Sequence, residues 1–467
     1  MPAKHSLKPS LIFSTSLLLF ITTSAHSAGF ALIENSASGM GKAFAGASAA
    51  AEDASTVWFN PAGMTYLAES LEGKSQLTNS AHIVSAKTNF KDKGSSTPIP
   101  PELGGGATPG DKNISGRVTS LVPNLYYVRP INDRLQFGLA INGPFGSKTE
   151  YDDDWVGRYQ ATTTDMKTFN INPSLSWKVN DNLSVGGGIS AQYIDVKLRK
   201  SFDSAAVCYK IAAKAGEDAL NYCKAKYPRF SQASKDSQAQ VKGDDISFGF
   251  NVGLLYHPTK STRIGASYRS RIKHNLEGRA SYDLDKDLPF ILGAAGVTAF
   301  NNKNIKSSVE LPDSLSLSVA HKVNNRLEIL ADITRTQWST FQELKVIDTE
   351  GNLVSKTDEK WEDVTRVSLG ANYKYNDRLT LRTGVAYDEE PIPSAKYRTP
   401  RIPGNDRKWV SVGAGYKLNK KLNLDFGYSH LFLNKTAIDN PGEKGYSVKG
   451  SYDSHVDILS AQVNYTF

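Results

Sequence analysis

The chain has 467 residues, 39% of them hydrophobic, with 55 Lys and Arg against 47 Asp and Glu, for a formal net charge of +8. The charges are scattered, with no basic block or nucleic-acid-binding motif, which excludes a nucleic-acid partner and leaves a basic outer rim facing anionic headgroups as the better reading. Mean hydropathy is −0.38; no segment after the N-terminal leader approaches the ~20 apolar residues of a spanning helix, but a β-barrel hides its membrane signal in such an average because its two faces alternate.

Lys4 and Lys8 precede the apolar run Leu11–Ile21 and the small-residue site Ala25-His26-Ser27. This predicts a secretory signal peptide over residues 1–27, cleaved after Ser27; the run is too short for an anchor helix. Ala28–Leu67 follows, dense in Gly, Ala and Ser and without alternation. Small side chains let backbone pack closely against a surrounding wall. Residues 28–69 are therefore read as a hatch, lodged inside a barrel formed by residues 70–467.

From residue 70 the chain alternates, in segments separated by turns. The turn signature recurs as Ile131-Asn132-Asp133-Arg134, Val179-Asn180-Asp181-Asn182, Val323-Asn324-Asn325-Arg326 and Tyr375-Asn376-Asp377-Arg378, with Leu418-Asn419-Lys420-Lys421 as a looser copy and His257-Pro258-Thr259-Lys260 in the same role. Asn and Asp tolerate the left-handed backbone of tight hairpins. Short turns at one end and long connections at the other are the asymmetry of an outer-membrane barrel. Counting between them gives about fourteen strands, the first over 70–90. The alternation is clearest in Leu422–Tyr428 and Leu459–Phe467, where every second residue is apolar and the chain stops on an aromatic strand able to pair with the first. The fold class is all-β, a closed antiparallel transmembrane barrel; a soluble sandwich with one wet face is the alternative.

Three long connections are predicted outside. Residues 91–115 are rich in Gly, Pro and Ser, and residues 201–242 carry a helix-like run over Ala205–Lys226 and both cysteines, Cys208 and Cys223. An oxidising compartment favours a disulfide between them; two free thiols is the alternative. Residues 280–304 contain an apolar run, with Phe290, Ile291 and Leu292 at its centre. Exposed apolar loops point to hydrophobic-ligand capture, unless the loops pack on one another.

Inside the strand predicted over 134–149, Gly143-Pro144 breaks the pattern. Proline cannot donate to a ladder, so the strand must bend there. Pro61 biases Asn60 toward extended backbone, so Asn60-Pro61-Ala62 reads as a rigid hatch turn pressed on the wall near that bend. On the strand over 183–200, Lys200 shares the lumenal parity of Ile194, Val196 and Leu198, placing a cation by an apolar stripe.

No G-x-S-x-G elbow or H-E-x-x-H occurs, so a lipase is disfavoured; no catalytic residue, metal or cofactor is expected. A general porin is the other rival, against which the plug composition of 28–67 argues.

These residues resemble the FadL-type transporters of Gram-negative outer membranes, a family that includes toluene- and xylene-type channels. The likeness runs through Ala28-Gly29-Phe30, Ser36-Ala37-Ser38-Gly39, Gly41-Lys42-Ala43, Asp53-Ala54 and Asn60-Pro61-Ala62. It resumes at Val122-Pro123-Asn124, Pro130-Ile131-Asn132-Asp133, Arg382-Thr383-Gly384-Val385-Ala386 and Pro391-Ile392-Pro393. The resemblance implies a monomeric fourteen-stranded barrel in the outer membrane, among its lipids and lipopolysaccharide, with a hatch of short helices. It also implies a hydrophobic ligand, a long-chain fatty acid or an aromatic hydrocarbon, leaving sideways through the wall. Asn142, Gly143, Pro144 and Phe145 would then line the lateral opening, gated by Asn60, Pro61 and Ala62. Phe30 matches a ligand-touching position of the family. Lys200 and Lys356, with Lys360 as a substitute for Lys356, match its cations. Lysine where the family has arginine gives up bidentate carboxylate recognition.

Overall fold

Alternation builds the wall. In the computed structural model, which describes residues 29–103 and 105–467, Phe426 is 52% exposed on the outside while its neighbour Asp425 is 1% exposed on the inside. In the last strand Leu459, Val463, Tyr465 and Phe467 face outward and Ser460, Gln462 and Asn464 inward. The predicted leader, residues 1–27, lies outside the described residues. Among those residues no helix is long and apolar enough to cross a membrane.

Fourteen antiparallel strands close into a barrel. In order they are Gln76–Asp92, Asn113–Pro130, Leu135–Asn142 with Gly146–Glu150, Thr163–Lys178, Leu183–Phe202, Ser237–Thr259, Thr262–Arg269 with Ile272–Asp283, and Lys303–Leu311 with Ser314–Lys322. The remaining six are Leu327–Thr336 with Glu343–Asp348, Leu353–Asp358 with Val364–Lys374, Leu379–Asp388, Arg407–Lys417, Leu422–Leu433 with Thr436–Asn440, and Val448–Thr466. The first strand starts at Gln76 rather than at residue 70, because Gly63–Ser70 is helical. The last strand pairs with the first from Gln76↔Thr466 to Asp92↔Gly450, which removes both sheet edges.

The turns form where expected, by a different device. No asparagine in them holds a left-handed backbone. Instead the side chain of Asn132 accepts from the N–H groups of Arg134 and Leu135 at 2.9 Å each, and Asn324, Asn376 and Asn419 do the same for the residues two and three further on. These are Asx caps, in which the side chain imitates a backbone turn.

Six strands are interrupted, the third at Gly143-Pro144-Phe145. The second and third strands pair only from Pro130↔Gln136 to Leu125↔Ile141. Residues 113–124 of the second strand are paired with the first strand but have no ladder partner in the third among the described residues. The wall therefore has an unpaired seam beside the break.

Four short helices, Ala37–Met40, Ala47–Ala50, Thr56–Phe59 and Gly63–Ser70, fill the lumen. Ser36 caps the first, accepting from the Gly39 N–H at 3.1 Å. Hatch backbone touches wall backbone at glycines. A side-chain carbon at Gly384 would lie 2.2 Å from the Lys42 carbonyl oxygen, and one at Gly265 would lie 1.9 Å from that of Ser48. Polar contacts complete the fit: Lys42 pairs with Glu52, and Arg382 bridges Glu52 at 3.4 Å and Asp425 at 2.7 Å. Overpacking of this kind costs about 1–3 kcal/mol. Gly384→Val should push the hatch off the wall, and the variant in a planar bilayer should pass a steady ionic current that the native barrel does not. A closed trace would show that the wall yields instead.

Candidate functional site

The external loops form a packed cap. Helices Ser204–Ala215 and Glu217–Lys226 are joined by the Cys208–Cys223 disulfide. They pack against Leu288–Ala294, and Ile291 and Leu292 are buried in that contact with Cys208 and Tyr227. The expectation of three exposed apolar residues is corrected here. Only Phe290 is on the surface, 63% exposed, with its ring 4.7 Å from that of Tyr222. A short helix has one buried face, and Ile291 and Leu292 fall on it.

Below the cap lies a polar vestibule lined by Lys200, Lys356, Lys396, Arg401 and Glu443. Neither of the two expected cations is free. The Lys200 ammonium is 2.5 Å from Glu443, and that carboxylate also accepts from the Lys356 backbone N–H at 3.1 Å. The Lys356 ammonium is held by Glu343 at 3.0 Å and Asp358 at 3.2 Å. Lys360 has a left-handed backbone, φ 54°, and lines neither this vestibule nor the apolar cavity beneath it.

That apolar cavity is walled by Met166, Val196, Leu198, Leu276, Val309 and Phe341, with Phe30 on its floor. The lumenal stripe of the fifth strand thus reaches it as the parity predicted. Four ionisable groups line it, Lys242, Glu277, Glu359 and Arg401. Lys242 is paired with Asp195 at 3.4 Å and Glu277 with Lys306 at 3.2 Å, and Arg401 and Glu359 fall outside every expectation drawn from the sequence. Arg401 lines both cavities. Its guanidinium donates to the carbonyls of Gln160 and Thr163 at 2.9 Å each and to Thr164 Oγ1 at 3.2 Å. All three acceptors are neutral, and no ion pair to Arg401 occurs among the described residues. Burial lowers its pKa to about 10, which leaves it charged at neutral pH.

Glu359 is buried and accepts from Trp361 Nε1 at 3.2 Å. Burial pushes its carboxyl up to about 8, and the repulsion of Asp358 adds to this, against the Trp361 hydrogen bond and the attraction of Arg401. It is therefore protonated at pH 7 and does not neutralise Arg401. Above about pH 8 it ionises and competes for that cation. Affinity for an alkyl sulfonate, ionised at every pH used, should fall several-fold between pH 7 and 9, whereas Glu359→Gln should give a flat titration by calorimetry. A slope that survives the substitution would assign the effect elsewhere.

The floor is an aromatic cluster. The Phe30 ring lies 4.6 Å from Trp338, 5.4 Å from Trp361 and 5.5 Å from Phe341. Its neighbour Gly29 has φ +62°, and a side-chain carbon there would come within 2.6 Å of Trp361. The same segment closes the broken strand: Leu32 N–H donates to the Pro144 carbonyl and Gly146 N–H to that of Phe30, both at 2.8 Å, so Ala31 pairs with Phe145. A further cavity lies on the other side of this segment, lined by Ala31, Leu32, Trp58, Phe59, Pro144 and Phe145. Residues 30–33 are the partition between the two.

At the break, Asn142 donates to Asn35 Oδ1 at 2.6 Å, and Thr168 Oγ1 accepts from the Phe145 N–H at 2.9 Å. A side-chain carbon at Gly143 would meet only the Thr168 carbonyl, at 3.1 Å. The expected contact between this bend and Asn60-Pro61-Ala62 is corrected. Asn60 Nδ2 donates to the carbonyls of Ser48 at 2.7 Å and Leu254 at 3.0 Å. Pro61 and Ala62 abut Gly186, where a side-chain carbon would sit 2.6 Å from the Ala62 nitrogen. The turn is pressed on the wall, but on the fifth and sixth strands, because only their glycines admit it.

A closed barrel with outward apolar rows, an internal plug and stacked lumenal cavities defines an outer-membrane transport protein. The chain belongs to the family described as outer membrane protein transport protein (OMPP1/FadL/TodX), whose model matches residues 18–467, a family of transporters and channels rather than enzymes. It is similar to the long-chain fatty acid transport protein of Escherichia coli O6:H1, 32% identical over 454 residues and 96% of both chains. It is also similar to the 47 kDa outer membrane protein of Pasteurella multocida, 32% identical over 97% of both. Among solved structures, a Pseudomonas aeruginosa FadL homologue matches with TM-score 0.81 and 26% identity, over 94% of this chain and 99% of that one. The Pseudomonas putida toluene transporter TodX shares the fold, with TM-score 0.63 and 18% identity over 89% and 94% of the two chains.

Proposed function

We propose that this protein takes up long-chain fatty acids across the outer membrane. The observation that carries the reading is Arg401, a half-buried cation without a carboxylate partner at the junction of a polar vestibule and an apolar cavity. A carboxylate with a long tail satisfies both halves of such a site, since an unpaired buried charge is costly and apolar burial is favourable. A neutral aromatic hydrocarbon, the alternative, would leave Arg401 unused.

Capture begins at the loop cap, where Phe290 and Tyr222 offer an apolar edge, and the vestibule lysines attract the anion. The tail enters the cavity above Phe30 and the carboxylate docks on Arg401. Displacing residues 30–33 then does two things at once: it removes the floor and frees the edge of the third strand at Pro144. The ligand passes into the inner cavity and leaves sideways through the unpaired seam between the second and third strands. Such a displacement requires only that ligand bind the two positions of the segment differently.

The test is direct. Protein extracted in mild detergent should retain fatty acids detectable by native mass spectrometry, and vesicles containing it should take up oleate faster than toluene. Retention of neutral aromatics alone, with no oleate uptake, would replace this reading by the hydrocarbon one.

A further inference from the structure

Many outward-facing cations at the external rim are matched by anions on the same or the next strand. Lys167 pairs with Asp165, Lys242 with Asp195, Lys273 with Glu310, Lys306 with Glu277, and Arg335 with Asp363, all at 3.1–3.9 Å. A long row without such anions lies across the closure of the barrel. There the register sets Arg117 directly opposite Lys87, Lys87 opposite His455, His455 opposite Phe432, and Phe432 opposite Lys408. The row crosses five strands. Arg117 donates to Ser85 Oγ at 2.9 Å, and among the described residues no ion pair is formed by Arg117, Lys87 or Lys408. Like charges directly opposite on one face of a sheet are destabilising. A shorter row of directly opposed cations, Lys197, Lys242 and Arg279, stands elsewhere on the rim, but there Asp195 lies 3.4 Å from the central Lys242. Asp453 and Asp457 are the acidic groups nearby on the last strand, and Asp457 is engaged by His430 at 2.7 Å and by the Tyr428 hydroxyl at 2.8 Å.

Toward the periplasm the next outward tier is polar, Thr119, Ser85, Asp457 and His430 in one row, and the tier below it is apolar: Leu121, Ile83, Leu459 and Tyr428, all exposed. A cationic row a short polar step above an apolar band is complementary to a lipid with a phosphorylated headgroup, since Arg and Lys bind phosphate and extend along the interface. The short turns mark the opposite end as periplasmic, so the row stands at the outer leaflet.

We propose that Arg117, Lys87 and Lys408 form a binding site for the phosphorylated glycolipid of that leaflet, with the sugar phosphates on the cations and acyl chains along Ile83, Leu121 and Leu459. The site is independent of the lumenal cavities and stands whether or not fatty acid is the transported ligand. In the wild-type protein the row is satisfied by a lipid of the membrane rather than by its own side chains.

The test uses the full-length barrel in detergent, titrated with bisphosphorylated lipid A and followed by native mass spectrometry. The native protein should bind it preferentially over the same lipid stripped of both phosphates. Lys87→Gln with Arg117→Gln should weaken binding roughly thirtyfold, as expected for two interfacial cations. Lys273→Gln with Lys306→Gln, which removes two matched rim cations, should leave it unchanged. Lys408→Gln serves as a second variant if the double one does not fold. Equal binding of the dephosphorylated lipid, equal competition by phosphatidylglycerol, or equal loss in the control variant would each overturn the proposal.

Discussion

Replacing Arg401 by leucine should weaken oleate binding at least about thirtyfold and leave binding of its methyl ester nearly unchanged. The argument rests on the company Arg401 keeps. Its three acceptors, two carbonyls and a hydroxyl, hold the guanidinium in place without cancelling its charge, and the buried carboxyl of Glu359 is neutral at pH 7. Truncating one member of a buried hydrogen-bonded charge pair costs about 2 kcal/mol or more, which is roughly thirtyfold in affinity. The ester keeps the tail and loses the charge, so it reports on the apolar cavity alone. Arg401→Lys should fall between, because an ammonium keeps the charge but not the planar fork. Equal losses for acid and ester would mean that the substitution had only loosened the loops around Gln160 and Thr163. No loss at all would return the anchor to Lys200, whose ammonium would have to abandon Glu443 to serve.

That competition shows what the chain reveals in one dimension and what it hides. The wall is legible because each strand must satisfy lipid and lumen alternately, so Leu459 to Phe467 states its own orientation. The turns are legible because Asn carries its cap with it. Lys200 was placed correctly in the lumen by parity, but the carboxylate that occupies it, Glu443, comes from a loop 243 residues away, and nothing local announces it. Arg401 sits in an irregular loop without period, so no pattern marks it. Pro144 signals its break through the missing N–H, and Pro312, between Lys303–Leu311 and Ser314–Lys322, marks a second break by the same chemistry. Gly186 and Gly384 were visible too, as small residues at lumenal parity, but their purpose appears only once hatch backbone lies against them.

Ala31→Cys combined with Phe145→Cys should give a protein that binds ligand and does not transport it until reductant is added. Leu32 bonds to Pro144 and Gly146 to Phe30, which makes Ala31 and Phe145 a non-hydrogen-bonded antiparallel pair. Such pairs bring their Cα atoms to about 4.5 Å, within the range a disulfide accepts. The bond would fix the partition to the broken strand. If the exit lies behind that partition, oleate entry should drop at least tenfold in the oxidised double variant and recover on reduction, while binding above Phe30 persists. Each single cysteine variant should transport in both conditions, which separates loss of the Phe145 ring from the lock. Wild type treated with reductant controls for opening Cys208–Cys223 in the loop cap. Undiminished transport with the cross-link formed would mean that ligand passes without moving residues 30–33, and the seam between the second and third strands would lose its role as the way out.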